Sequence, residues 1–133
     1  MAGGNQDRRK HRYLIWLGVA AGTLLAVIGL RFMIVPRTAA NNFGLAKELA
    51  GYELHLMVGL RDLWLGGLAV VFALLREWRA LMWWFALGAI VCFADAAIAA
   101  YSSGKIANVL FHLVSGAFCV GLAVQLARLR TDG

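Results

Sequence analysis

The stretch that decides the fold runs from residue 51 to residue 75: Gly51-Tyr-Glu-Leu-His-Leu-Met-Val-Gly-Leu-Arg-Asp-Leu-Trp-Leu-Gly-Gly-Leu-Ala-Val-Val-Phe-Ala-Leu-Leu75. It is long and apolar enough to cross a bilayer, which takes about 20 helical residues. It nevertheless contains ionisable residues, which are costly in hydrocarbon unless they are paired or hydrated. Helical periodicity places a small, polar set on one face and a bulky, lipid-compatible set on the other. The polar face contains His55, Gly59, Asp62, Gly66, Ala69 and Ala73, and the bulky face contains Met57, Leu60, Trp64, Leu68 and Phe72.

The composition of the whole chain is that of an integral membrane protein. Of 133 residues, 62% are apolar and 15% are charged, whereas soluble domains have about 45–50% and about 25%. The apolar residues are clustered in four runs, which predict helical spans at about residues 13–35, 53–75, 81–101 and 106–127. These spans define a membrane domain over residues 13–128, between a basic tail at 1–12 and a second tail at 129–133.

The segment between the first two spans is predicted to lie at the membrane interface. Pro36 ends the first span because its ring removes a backbone donor and restricts the preceding residue. Phe43, Leu45 and Leu49 then stand among polar neighbours, a pattern that favours a short helix or turn over a free loop. The predicted fold is therefore all-α: an integral membrane four-helix bundle with a short interfacial segment.

The basic residues predict the orientation of the bundle in the cell membrane. Eight lie in the N-terminal tail, the second loop and the C-terminal region, and three lie on the other side. The positive-inside rule therefore places both termini in the cytoplasm. The net charge of +6 reports this orientation, and we predict no binding to nucleic acid. The two groups are Arg8, Arg9, Lys10, Arg12, Arg76, Arg79, Arg128 and Arg130 against Arg37, Lys47 and Lys105.

The polar residues of the spans are predicted to meet in the outer half of the membrane. The third and fourth spans also have small, polar faces: Trp84, Gly88, Cys92, Asp95, Ala99 and Ser102 on one, and Lys105, Asn108, His112, Gly116, Cys119 and Ala123 on the other. At about 1.5 Å per residue, Asp95 and His112 are each about 9 Å from the outer helix ends. We expect a pocket that opens to the non-cytoplasmic side. Its predicted ligand-binding residues are Arg31, His55, Arg61, Asp62, Asp95, Asn108 and His112.

Two interpretations of this cluster remain open from the sequence. In the first, an arginine binds an anion or carbonyl, while Asp62, Asp95 and His112 are candidate catalytic proton donors and acceptors. In the second, Arg61 pairs with Asp95 or Arg31 pairs with Asp62, and the pairs fix the packing of the helices. Two His and two Asp could in principle bind zinc, but no HxxH or HxxxH spacing is present, so no metal site is predicted. No cofactor can be named.

Small residues suggest where helices approach one another. Gly18, Gly22 and Gly29 form a stripe on the first span, which favours either packing within the chain or a homo-oligomer. Cys92 and Cys119 each lie within an apolar run without a CxxC motif. They are predicted to be packing residues, and a pair between neighbouring spans is the alternative.

Several short motifs together resemble those of a known superfamily. They are Gly29-Leu-Arg31, Pro36-Arg37, Phe43-Gly44-Leu45 and Gly59-x-Arg61-Asp62-x-x-x-Gly66, with one Asp (Asp95) in the third span and one His (His112) in the fourth. Over about residues 14–128, the chain resembles the DoxX-like small four-helix membrane proteins. It resembles more closely a bacterial and fungal family of integral membrane proteins of unknown function. The resemblance implies a single four-helix domain with inward-facing polar residues. Some DoxX-like relatives are linked to quinone-dependent sulfur oxidation, but this chain lacks the cysteine motif expected for that chemistry.

Three functions remain in competition. The first is binding of a small amphipathic molecule, quinone-like or lipid-like, in the polar pocket. The second is a membrane-embedded acid–base enzyme that isomerises, cyclises or opens an epoxide. The third is an accessory subunit of a larger membrane complex, for which the glycine stripe and the small size of the chain are the motives.

Overall fold

The computed structural model describes residues 3–45 and 52–131. Four long helices and one short helix account for nearly all of them, and four helices are long and apolar enough to cross a membrane. The predicted all-α, four-span membrane bundle is therefore confirmed, while the side on which the termini lie stays a prediction. The helices are α1 (Gly3–Ile34), α2 (Pro36–Phe43), α3 (Tyr52–Leu74), α4 (Trp78–Ser102) and α5 (Ile106–Thr131).

Helix α1 extends well beyond the apolar run that predicted it. It begins at Gly3, so the basic segment before Tyr13 continues the helix. Gln, Arg and Lys are good helix formers, and no proline interrupts this segment. The imidazole of His11 lies against the indole of Trp78, with ring centroids 5.6 Å apart. This contact holds the α1 extension beside the turn between α3 and α4.

The glycine stripe of α1 packs against α3 within the same chain. A Cβ atom built on Gly29 would lie 2.5 Å from the carbonyl oxygen of Gly59, and one on Gly59 would lie 2.6 Å from the carbonyl oxygen of Gly29. Gly22 and Gly66 form an equivalent contact about two helical turns away. These close approaches are possible only without side chains. The intramolecular alternative for the stripe is thus the one observed, and a homo-oligomer would need another surface.

The face of α3 that was predicted to be polar and inward-facing is the buried face of this helix. All six residues of the predicted polar face are buried, and they form the complete buried set on this helix: His55, Gly59, Asp62, Gly66, Ala69 and Ala73. On the opposite face, Met57, Leu60 and Trp64 are exposed. Leu68 and Phe72, predicted on the same face, are half-buried, and Phe72 packs against the core that contains Leu81 and Phe85.

Helices α4 and α5 form a second closely packed pair, and the buried stripe of α4 differs from the predicted one. Of the predicted face only Ala99 is buried, whereas Trp84, Gly88, Cys92 and Asp95 are half-buried. Large apolar residues displace that face, because they complete a core between the two pairs. The buried residues of α4 are Leu81, Phe85, Ala89, Ala96 and Ala99. Of these, Leu81 and Phe85 form the core with Leu14, Ala73, Leu122 and Leu126.

The short helix α2 lies at the other end of the bundle, which we call the α2 end. Pro36 begins the helix, and Gly44 ends it with a positive φ of 107°. Ala39 and Ala40 are buried against Phe32 of α1. The predicted short segment between the first two spans is therefore a helix over Pro36–Phe43, while Leu49 lies outside the described residues.

Candidate functional site

The ion pair on α3 forms between sequence neighbours. Nε and Nη2 of Arg61 both donate to Oδ1 of Asp62 at 3.3 Å. The Asp62 side chain is 10% exposed and the Arg61 side chain is 61% exposed. Neither predicted pair, Arg61 with Asp95 or Arg31 with Asp62, forms, because Asp62 points into the bundle and Arg61 reaches it from the flank of the same helix. Arg61 is paired, but with its sequence neighbour, and its side chain is largely exposed where an inward-facing arginine was expected.

Asp95 lies near three other residues of the predicted cluster. The carboxylate on α4 interacts electrostatically with His112, Arg61 and Asp62, and its side chain is half-buried. The bundle therefore gathers four of the predicted residues, Arg61, Asp62, Asp95 and His112, from three helices. Charges of both signs are present, so this cluster can be satisfied internally, as the salt-bridge interpretation requires.

His112 binds the backbone of the short helix. Its Nε2 lies 3.0 Å from the carbonyl oxygen of Phe43. A carbonyl oxygen only accepts hydrogen bonds, so Nε2 carries the proton and donates. The imidazole also packs edge-on against the Phe43 ring, with centroids 4.6 Å apart. His112 is buried, and its contacts with Phe43 fix the imidazole against α2.

Two further polar residues join His112 in holding α2. Nζ of Lys105 donates to Oδ1 of Asn41 at 2.8 Å, and Nδ2 of Asn108 donates to the carbonyl oxygen of Asn41 at 3.4 Å. We refer to Lys105, Asn108 and His112 as the α2 clamp. The last carbonyls of a helix lack partners within it, and cationic or neutral donors stabilise them. Asn108 and His112 of α5, with Lys105 just before it, thus hold α2 in place.

Gly44 lets α2 approach α4 and α5 closely. A Cβ atom built there would lie 2.8 Å from the Cβ atom of Ala99 and 3.1 Å from that of Asn108. The positive φ of Gly44 would also strain any other residue.

His55 is buried beside Phe32, with stacked rings whose centroids are 6.1 Å apart. Its Nδ1 has no hydrogen-bond partner among the residues that the structure describes.

A groove of about 450 Å³ lies at the α2 end between α1, α2 and α5. We call it the α1–α2–α5 groove. This groove lies beside the predicted cluster of acidic residues and not within it, because the glycine contacts close α1 against α3 and α2 covers His112. The pocket predicted around the acidic residues stays a prediction. Two predicted ligand-binding residues, Arg31 and Asn108, line the groove, while the described lining does not include His55, Arg61, Asp62, Asp95 or His112. The lining residues are Leu24, Ile28, Arg31, Phe32, Ala39, Asn42, Phe43, Ala107, Asn108 and Phe111.

The sequence reasoning missed the contributions of Asn42, Phe32 and Phe111 to the groove. In the sequence, Phe43 is an aromatic residue among polar neighbours, and this pattern indicates that its face of α2 is covered by another helix. That signal does not identify which helix covers it.

The two cysteines lie near each other, and the structure offers no cluster of metal ligands among the residues it describes. Cys92 and Cys119 are free and half-buried, and their thiols lie close enough to influence each other between α4 and α5. The pair left open by the sequence is therefore adjacent in space. Within residues 3–45 and 52–131, no group of three or more His, Cys, Asp or Glu side chains is arranged to hold a metal ion.

Comparison with known proteins identifies the family but no activity. A family model described as Domain of unknown function (DUF4267) matches residues 22–126. This match covers most of the chain, which therefore belongs to that family. No curated protein and no solved structure matches the chain.

Proposed function

We propose that this member of the DUF4267 family is a membrane protein that binds a small amphipathic molecule, quinone-like or lipid-like, in the α1–α2–α5 groove. The observation that carries the proposal is the distribution of polarity along the groove. Leu24, Ile28 and Phe111 form its apolar part, and Arg31, Asn42 and Asn108 supply its polar groups. An amphipathic ligand has the same two parts.

The size and access of the groove support this proposal. A volume of about 450 Å³ lies within the roughly 300–1,000 Å³ of small-molecule sites. Leu24 and Arg31 are seven residues apart on one stripe of α1, which corresponds to about 10 Å along the helix axis. Leu24 and Phe111 are each about half exposed on the surface that would face lipid. A ligand could therefore enter sideways from the bilayer.

Two variants, in each of which an alanine is replaced by tryptophan, test the proposal. Ala107→Trp places an indole in the groove, whereas Ala97→Trp places the same ring on an exposed part of α4 outside it. We expect the wild type and A97W to co-purify with the same amphipathic molecule, identified by mass spectrometry of detergent extracts. A107W should lose it and keep its helical content. Extracts that contain no such molecule, or equal amounts in both variants, would contradict the proposal.

A membrane-embedded acid–base enzyme is the second candidate. The electrostatic interaction of Asp95 with His112 favours it, because a carboxylate and an imidazole can together exchange protons with a substrate. Two observations weigh against it: His112 already donates to Phe43, and Asp62 is paired with Arg61. The enzyme hypothesis requires turnover that Asp95→Asn abolishes while the fold survives.

The accessory-subunit hypothesis loses one of its motives, because α3 covers the glycine stripe. Purification of the protein as a lone monomer would count against what remains of it.

A further inference from the structure

The charge of the groove points to a ligand class narrower than amphipathic molecules in general. We infer that the ligand is a single-chain amphiphile with an anionic head, a carboxylate or a phosphate, that pairs with Arg31; this inference rests on the proposed function. Among the described residues that line the groove, Arg31 alone is charged, and none is acidic. The side chains there therefore give it a net positive charge.

The surroundings of Arg31 leave this charge uncompensated within its own helix. Its neighbours one turn away on α1 are Val27, Ile28 and Ile34, all apolar. Lys105 adds a second cation nearby, because it binds Asn41 beside the Asn42 of the lining. Asp62 is paired with Arg61.

The other carboxylates near the α2 end, among the residues that the structure describes, do not change this sign. Asp95 interacts with His112, Arg61 and Asp62 and does not line the groove. Glu53, at the start of α3, is exposed and is also outside the lining. An anion in the groove would therefore meet a cation and two amides.

The chemistry of arginine favours carboxylates and phosphates over neutral carbonyl groups. Its planar guanidinium donates two parallel hydrogen bonds to either anion. Attraction between unit charges also strengthens as the surroundings become less polar than water, and the groove is walled mainly by aliphatic and aromatic side chains. A neutral quinone would accept hydrogen bonds from Arg31 but would leave its charge without a partner.

The volume of the groove, about 450 Å³, lies toward the lower end of the roughly 300–1,000 Å³ of small-molecule sites and suits a ligand with one alkyl chain. Its apolar stripe on α1 consists of Leu24 and Ile28, and Phe111 faces it from α5. One alkyl chain lying along this stripe would place its head at the level of Arg31, about 10 Å from Leu24.

The test compares ligands with one tail and different heads. The protein is placed in nanodiscs of zwitterionic lipid at alkaline pH, and binding of dodecanoate, dodecyl phosphate, dodecanol and dodecylamine is measured by native mass spectrometry. We expect both anions to bind at least about tenfold more tightly than dodecanol, and dodecylamine to bind most weakly. The two anions separate a free carboxylate from a phosphate head group as the preferred source.

Matched variants assign the preference to the groove. Arg31→Gln should reduce anion binding to the level of dodecanol, and Arg31→Lys should retain part of the preference. Arg8→Gln, which removes a cation far from the groove, should change nothing. Equal binding of dodecanol and the anions, or an anion preference unaffected by R31Q, would overturn the inference and leave the proposed function standing. Binding of all four compounds that is unchanged by A107W would refute the proposed function itself.

Discussion

Two adjacent glycines of α3 provide a direct test of the α1–α3 packing. Gly66 faces α1: a Cβ atom built on it would lie 2.6 Å from the backbone nitrogen of Ala26 and 3.0 Å from its Cβ atom, and would also collide with the backbone carbonyl of Gly22. Gly67 points away, and no heavy atom lies within 4 Å of a Cβ atom built there. The substitutions Gly66→Ala and Gly67→Ala therefore add the same methyl group to the same helix in opposite environments.

The expected difference follows from two terms. Replacing a helical glycine with alanine favours the helix by about 1 kcal/mol, and this gain is common to both variants. Inserting a methyl group into a close-packed contact costs about 1–3 kcal/mol, and only G66A incurs that cost. Backbone atoms of α1 cannot rotate away as a long side chain could. We therefore expect G66A to be less stable than G67A by about 1–3 kcal/mol, with G67A as stable as the wild type or more so.

The measurement is the free energy of unfolding in mixed micelles, followed by helical circular dichroism as the fraction of denaturing detergent rises. Equal stability of the two variants would show that α1 and α3 are further apart than the structure places them. A large loss in G67A would show that its face is also packed, for example against a second copy of the chain.

Three further predictions concern the polar residues and the orientation. Arg61→Gln should lower the stability of the protein in detergent because it strands the Asp62 carboxylate, and the double variant R61Q/D62N should recover most of the loss; a double variant as unstable as R61Q would contradict the ion pair. His112→Gln, which keeps a donor for the Phe43 carbonyl, should preserve resistance to limited proteolysis near α2, whereas His112→Leu should lose it; identical digestion would argue against the clamp. In a background of C92S/C119S, an impermeant maleimide added to intact cells should label a cysteine at Ser103 and not one at Thr131, and the reverse pattern would invert the predicted orientation.

The face of α3 could be predicted from the sequence because its residues divide cleanly by size and polarity. His55, Asp62 and the small residues between them share one side, and the helical period alone assigns that side to the interior. The same reasoning failed for α4. There it assumed that Asp95 and the small residues point inward, whereas Leu81 and Phe85 complete the core with α5 and leave Asp95 half-buried. Which of two stripes is buried depends on the partner helix, and a single helix does not contain that information.

The groove was less predictable than the helices. Its existence depends on how α2 folds back beside α5, and the three donors of the clamp come from α5 and the residue just before it, more than sixty residues later in the chain. The sequence located Asn108 and His112 on one face of α5 but did not indicate that a backbone would occupy it. The partner of Asp62 was missed for another reason: the two residues are adjacent, and helical periodicity treats neighbours as facing apart.

The polar residues of the α2 end divide by what they contact. His112 donates to Phe43, and Asp62 is paired with Arg61, so substitution of either removes an interaction that stabilises the protein. Asn108 contributes both to the clamp and to the groove, and its loss would mix the two effects. Arg31 lines the groove, and none of the interactions that hold α2 or pair Asp62 passes through it. A defect in R31Q with an unchanged melting temperature would therefore report on ligand binding, whereas a defect in H112L or D62N would report on folding as well. Arg31 is thus the residue at which function can be tested with the least interference from stability.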